Sequence, residues 1–222
     1  MRNYFKNLLG FSTKRKLLVI ESDDWGSIRT KDKIAYERML SRGLDVDENS
    51  YTQFDSLESN DDLTRLFEVL TKFKDCNGRY ATFTPMYIMA NPNFDAISAN
   101  GFTKYEYDVF TETYKKYPNH DRVANLIQEG INERIFLPEL HGREHINAPR
   151  WMRLLQNKNS VVRISFENES IGASRLHGNL SSPYLNTFTA ELANDLSYVQ
   201  KSLTDAVGIF KASFGYSPNH FI

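Results

Sequence analysis

The sequence predicts an α/β fold built on a parallel sheet or barrel. Short apolar runs rich in β-branched and aromatic residues alternate with segments whose apolar residues recur at helical spacing. This alternation is typical of parallel strands that are connected by helices. Polar residues follow two of the runs, at Asp23-Asp24 and at His141. Parallel folds collect their functional groups at this place, the carboxyl ends of the strands.

Four elements are predicted in the first ninety residues. The run over 16–22 is short and β-branched, which indicates a strand buried on both faces. A helical pattern closed by a glycine follows over 31–42. Asn60 and the two aspartates after it supply capping chemistry for a stronger helix over 60–73. Aromatic and β-branched residues over 79–90 predict a second strand that ends at an Asn-Pro pair.

The middle of the chain interrupts the alternation and then resumes it. Residues 91–119 are aromatic, polar and weakly periodic, and we interpret them as an excursion from the repeating pattern. A helix is predicted to begin at Asn119 or Asp121. The third strand, over 135–140, runs directly into His141.

The last third of the chain predicts two helices and two strands. An Ala-Pro pair begins a helix over 148–155, and the apolar run over 161–166 predicts a fourth strand. Residues 168–188 are loop-like and precede a helix over 189–207. A short final strand is predicted over 209–214.

Composition excludes several classes of protein. Hydrophobic residues make up 41% of the 222 residues, which is enough for a sizeable core. Lys and Arg number 27 against 28 Asp and Glu, so a strongly basic nucleic-acid-binding protein is not expected. The single cysteine, Cys76, excludes an internal disulfide and a thiolate-only metal cluster. No apolar run approaches the roughly 18 residues of a membrane span.

The first 15 residues form a basic amphipathic segment that lacks the apolar stretch of a secretory signal. We interpret it as a short helix that covers the end of a core, with contact to an anionic membrane surface as the alternative. Together with the lone cysteine, this predicts a cytoplasmic protein.

Two polar clusters could carry chemistry. In Asp23-Asp24, one carboxylate could bind a cation while the other handles a proton, although such pairs are also common in solvated turns. In His141-Gly-Arg-Glu-His145, two imidazoles at i and i+4 would share one face of a helical turn, either as metal ligands or as a hydrogen-bonded surface pair. One carboxylate and two imidazoles make three ligands, which leaves open positions on a divalent ion for water and substrate.

The same residues resemble the polysaccharide deacetylases (the NodB-homology domain, carbohydrate esterase family 4). Lys16-Leu-Leu-Val-Ile-Glu-Ser-Asp-Asp24 is similar to the first motif of the family, a strand that ends in an Asp-Asp pair. Tyr80-Ala-Thr-Phe83 resembles the family's Ala-Thr-Phe strand. Asn125 to Gly130, followed by His141 and His145, resembles the second motif, and Phe214 to Phe221 resembles the segment that introduces the third.

The resemblance implies a partial or distorted (β/α) barrel and a deacetylase activity. Asp23 would be the general base, and Asp24, His141 and His145 would bind a divalent metal ion, commonly zinc in this family. The implied reaction removes acetyl groups from N- or O-acetylated sugars or polysaccharide precursors, with a metal-bound water as the nucleophile. The implied partner is thus an acetylated saccharide, with neither a nucleic acid nor a membrane span expected.

Departures from the family pattern define the expected domain organisation. Ser22 stands where the family usually has an aromatic residue, and the deacetylase-like domain over 16–222 has insertions around 27–78 and 91–119. The sequence stops near the start of the third motif, with four or five predicted strands where a barrel needs seven or eight. We therefore expect a domain that is incomplete at its carboxyl end.

Two alternatives to the deacetylase stay open. The first is a catalytically impaired relative that binds a glycan or a partner protein, which the missing later motifs favour. The second is a different metal hydrolase that uses the same Asp-His-His site on another acyl substrate.

Overall fold

A small parallel sheet lies at the centre of the computed structural model, which describes residue 14, residues 16–172 and residues 184–221. The strands of the described residues are β1 (Glu21–Trp25), β2 (Thr84–Ile88), β3 (Ala90–Pro92), β4 (Tyr107–Val109) and β5 (Glu139–Gly142). The parallel sheet has the order β1-β2-β5, so that β2 is its central strand. β3 and β4 form a separate antiparallel pair.

Helices surround the sheet. The part of the chain that the structure describes contains a 3-10 helix at Val46–Glu48 and nine α-helices. These are α1 (Lys33–Ser41), α2 (Ser50–Phe54), α3 (Asn60–Leu70), α4 (Phe94–Ala99), α5 (Phe110–Tyr114), α6 (Val123–Asn132), α7 (Ala148–Gln156), α8 (Ser160–Glu167) and α9 (Ala193–Phe214). Side-chain caps begin most of them: Ser59 and Asp62 form a reciprocal capping box at α3, and Asn147 caps α7.

Two apolar clusters make up the core. The first packs β2 and β5 against α3, α6 and the carboxyl-terminal half of α9. The second joins α1, α4, α7 and α8 around the fully buried Trp151. Both are dense in aromatic rings, which bury more apolar surface per residue than aliphatic side chains do.

The predicted mixture of strands and helices with a parallel sheet is confirmed, whereas two of the predicted strands are wrong. Residues 161–166 belong to the helix α8, because Asn159 caps it and because Val162 and Phe166, one helical turn apart, both face the second cluster. Residues 209–214 are the last turns of α9, in which Phe210 and Phe214 are buried on one face. In both places β-branched and aromatic composition was outweighed by burial at helical spacing.

The first strand also needs correction, and the barrel is not confirmed. β1 begins at Glu21, and the apolar residues 17–19 before it are exposed rather than buried on both faces. Residues 17–19 therefore lie before the strand rather than inside it, and β1 is an edge strand of the sheet. The described strands do not close into a barrel, and the barrel that the resemblance implies is not confirmed.

The predicted amphipathic segment over 1–15 lies outside the described residues, apart from residue 14. Among the described residues, no helix combines the length and the apolar character needed to span a bilayer.

Candidate metal centre

Two strand ends bring the candidate ligands together. Asp24 lies near the end of β1, and His141 lies near the end of β5, on the opposite side of the central strand β2. Because the three strands are parallel, both residues reach the same edge of the sheet. His145 is placed by the loop between β5 and α7, so the two histidines do not share a helical turn as the i, i+4 spacing predicted.

Three ligand atoms converge at this edge. The Nε2 atoms of His145 and His141 lie 3.0 Å and 3.3 Å from Oδ1 of Asp24. The ligand atoms of the three residues all lie within 4.8 Å of one another. Among the described residues, no hydrogen bond reaches the buried Oδ1 atom of Asp24. A buried carboxylate oxygen that faces two imidazole nitrogens without a hydrogen bond fits a shared cation, and these residues could hold a metal ion.

The backbone around Asp24 is held in an unusual conformation. Asp24 has φ of 67° and Gly26 has φ of 75°, and the ladder between β1 and β2 is irregular at this point. A Cβ atom on Gly26 would lie 2.7 Å from the carbonyl oxygen of Ile88, so only glycine fits there. Glu58 holds the turn, because its Oε2 accepts a hydrogen bond from the backbone N–H of Gly26 at 3.1 Å.

Arg29 orients the outer oxygen of Asp24. Its Nη2 donates to Oδ2 of Asp24 at 3.2 Å, and its Nε donates to Oδ2 of Asp55 at 3.2 Å. Burial alone would raise the pKa of Asp24, but the nearby imidazoles and the Arg29 guanidinium hold that pKa well below its usual range. The carboxylate is therefore ionised and oriented, with Oδ1 turned toward the histidines.

A buried ion pair anchors the loop that carries the histidines. Arg143 donates to Glu144 through Nε at 2.5 Å and Nη2 at 3.0 Å, and it reaches Asp205 of α9 at 2.7 Å. Tyr198 and Ser202, also on α9, donate to Oε1 of Glu144 at 2.8 Å and 3.2 Å. Arg143 and Glu144, which lie between the two histidines, thus attach the loop to the long helix α9.

The ligand atoms open into a cavity of about 570 Å³. Asp23 is exposed and lines this cavity beside Asp24, as do Asp55 and Tyr51 from the segment after β1. Burial raises the pKa of Asp55 above its usual value, although Arg29 opposes the shift. Cavities with several convergent polar groups and a shifted carboxyl pKa are the usual form of small-molecule sites.

The sequence singled out the three candidate ligands and Asp23, which line this cavity, but not Arg29, Asp55 and Tyr51. These residues lie in the segment 27–78, a connection of helices and turns after β1. The sequence pattern of such a connection does not indicate which of its side chains lie near the edge of the sheet. Two further histidines follow His145 in the sequence, and the first of them, His177, lies outside the described residues. The other, His220, lies with its Nδ1 3.8 Å from Oε1 of Glu139.

We compared the chain with protein-family models, with curated proteins and with solved structures, and no match was found in any of the three comparisons. The resemblance to polysaccharide deacetylases therefore rests on the sequence motifs and stays a hypothesis.

Proposed function

We propose that this chain is a metal-dependent hydrolase that removes acetyl groups from N- or O-acetylated sugars. The observation that carries the proposal is the convergence of Oδ1 of Asp24 with Nε2 of His141 and of His145, because Oδ1 is buried and accepts no hydrogen bond from the described residues. The order of the deacetylase-like motifs along the sequence supports the choice of an acetylated sugar over other acyl compounds.

Asp24, His141 and His145 would hold a divalent ion, and zinc is the first ion to test. Two imidazoles and one carboxylate are donors that zinc accepts readily, and three protein ligands leave a position for water. When bound in such a site, a divalent ion lowers the pKa of a water molecule toward neutrality and polarises the carbonyl group of the substrate.

The two remaining carboxyl groups of the cavity have complementary roles in this proposal. Asp23 is exposed to the cavity, and its carboxylate accepts the proton of the attacking water. Asp55 lines the same cavity, and in this proposal its carboxyl group delivers a proton to the departing sugar oxygen or nitrogen; burial raises its pKa, which is the direction a proton donor needs, although Arg29 opposes the shift. Arg29 holds Asp55 and Asp24 at a fixed separation.

Metal content tests the first step. The purified chain is loaded with zinc, passed through a desalting column and measured by elemental analysis. We expect about one ion per chain, and substoichiometric retention in His141→Ala. His220→Ala is the matched control, because that imidazole is partly exposed and contacts Glu139 instead. A wild-type chain that retains no divalent ion contradicts the proposal.

Acetate release from N-acetylated and O-acetylated saccharides tests the reaction. We expect release by the wild type, loss of at least about a hundredfold in kcat for Asp23→Asn, and a smaller loss for Asp55→Asn that shrinks as pH rises, because the wild-type carboxyl can donate a proton only while it is protonated. Saccharide binding without acetate release by a metal-loaded chain would favour the non-catalytic glycan-binding alternative. Release of other acyl groups in preference to acetyl would favour a different metal hydrolase.

A further inference from the structure

A second cavity, of about 690 Å³, opens beside the candidate metal centre. The amino-terminal end of α1, the helix α2 and the turn over 117–120 form its walls. Asp55 lines this cavity and also the cavity of the metal centre, so the two spaces share one wall residue. The volume lies within the range of sites that bind small molecules.

The short helix α2 separates the two cavities and exposes an aromatic ring to each. Tyr51 lines the cavity of the metal centre, and Phe54 lines the second cavity. Phe54 is 73% exposed, and Tyr51 is also largely exposed, so neither ring contributes much to the core. A molecule that passes along α2 would cover both rings. These exposed aromatic side chains, which contribute little to the core, could therefore contact a ligand.

The interior of the second cavity is mainly apolar. Ile28 and Leu57 belong to its lining and also pack with the first core cluster. Tyr36 and Tyr117 add two further rings. Burial raises the pKa of Tyr117 to about 12, which keeps its phenol neutral at physiological pH.

The charged residues of the described lining have partners within the protein. Lys31 pairs with Glu169, and Asp32 accepts the backbone N–H of Ala35 at the start of α1. The remaining two form the pairs Lys33 with Glu37 and Asp55 with Arg29. Three of these groups lie in ion pairs and Asp32 caps a helix, so the lining offers mainly rings and aliphatic groups to a ligand, and this favours an uncharged occupant.

We propose that the second cavity binds an uncharged aromatic or aliphatic aglycone, carried by the same molecule whose acetylated sugar reaches the metal centre. The substrate class is then a glycoside with an apolar aglycone rather than a free sugar or a charged polymer. This inference rests on the proposed function for the sugar and the acetyl group, whereas the cavity and its apolar lining stand without it. Asp55 lines both cavities and would therefore lie near the sugar, between the acetyl group and the aglycone of the bound glycoside.

Binding measured by calorimetry tests the inference without requiring turnover. The probes are the 4-nitrophenyl and methyl β-glycosides of N-acetylglucosamine, added to the full chain. We expect the nitrophenyl glycoside to bind at least about tenfold more tightly, which corresponds to about 1.4 kcal/mol. Phe54→Ser should remove most of this preference and leave the affinity for the methyl glycoside unchanged.

Phe73→Ser is the matched control, because Phe73 is 81% exposed and does not line the cavity. Far-UV circular dichroism confirms that both variants are folded. Equal binding of the two glycosides by the wild type, or a preference that survives in Phe54→Ser, would overturn the inference.

Acetate release from the same two glycosides separates the inference from the proposed function. If neither glycoside loses its acetyl group but the nitrophenyl preference is present and depends on Phe54, the aglycone cavity is supported and the deacetylase is not. If both are deacetylated with the same KM, the deacetylase is supported and the aglycone cavity is overturned.

Discussion

Two carboxyl groups on either side of the turn after β1 have opposite environments. Oδ1 of Asp24 faces two imidazoles and accepts no hydrogen bond from the described residues. Glu58 is buried and accepts hydrogen bonds from the N–H of Gly26 and from the hydroxyls of Tyr87, at 2.8 Å, and Tyr114. The pKa of Asp24 is held well below its usual range, whereas burial raises the pKa of Glu58.

The difference separates a group that is available to a ligand from a group that maintains structure. The lone pairs of the Glu58 carboxylate are largely used by donors of the protein, whereas Oδ1 of Asp24 faces two residues that can themselves bind a cation. Because Glu58 holds Gly26, it also fixes the turn that presents Asp24. The two carboxyl groups therefore contribute to the same site in different ways, and mutations should separate their effects.

The largest effect is expected when Glu58 is replaced by an apolar residue. Glu58→Leu leaves the N–H of Gly26 and two tyrosine hydroxyls buried without an acceptor, at a cost of about 1–3 kcal/mol for each group. We expect a loss of about 3–5 kcal/mol in the free energy of unfolding, measured in urea. Glu58→Gln is the control, since its amide can still accept from Gly26 and donate to the tyrosines. A Leu variant as stable as the Gln variant would show that the hydrogen bonds to Glu58 do not stabilise the folded chain.

Asp24→Asn should act on metal binding instead. Asp24 has a positive φ, and asparagine tolerates this conformation better than most residues, so the backbone of the turn is retained. The substitution removes the anionic ligand, and we expect zinc affinity to fall about a hundredfold, or about 2.7 kcal/mol, in a competition assay with a chelator. Asp23→Asn is the matched neighbour and should keep most of the affinity. Equal affinities for wild type and Asp24→Asn would exclude Asp24 as a ligand.

The sequence predicted the positions of the candidate ligands better than it predicted their surroundings. Asp24 and His141 follow apolar runs directly, so a strand assignment alone places them at the sheet edge. Glu58 and Arg29 lie in a connection of helices and turns, and local pattern does not specify which of its side chains fold back under β1. The error at 161–166 has a similar origin, since the contacts that select a helix there come from other parts of the chain.

The pH dependence of stability should separate the two carboxyl groups further. Glu58 has a folded-state pKa above the ordinary value of 4.5, so above pH 4.5 the unfolded chain releases a proton that the folded chain retains. Stability should therefore fall as pH rises from 4.5 toward the folded-state pKa, by at most about 1.4 kcal/mol per pH unit. For Asp24 the sign is reversed, and its stabilisation is lost as pH falls below 3.8.

Glu58→Gln is expected to remove the decline above pH 4.5, and urea unfolding across pH 4 to 8 measures it. Asp62→Asn serves as the control, because the pKa of that carboxyl is lowered by Ser59 and its effect is confined to lower pH. An unchanged profile in Glu58→Gln would mean that Glu58 has an ordinary pKa in the folded chain.

The smallest effect is expected when one donor to Glu58 is removed while its ring is kept. Tyr114→Phe deletes the hydroxyl that donates to Oε1, but Tyr87 still donates to the same oxygen, so the carboxyl group is not left without a partner. The cost should be about 1 kcal/mol, the usual net contribution of one hydrogen bond. The hydrogen bond from Tyr114 also lowers the pKa of Glu58, and its loss should extend the decline in stability to higher pH. Tyr51→Phe, which changes an exposed ring, should alter neither quantity. If Tyr114→Phe leaves the pH profile unchanged, the tyrosine packs beside Glu58 without stabilising its charge, and the contrast with Asp24 rests on burial alone.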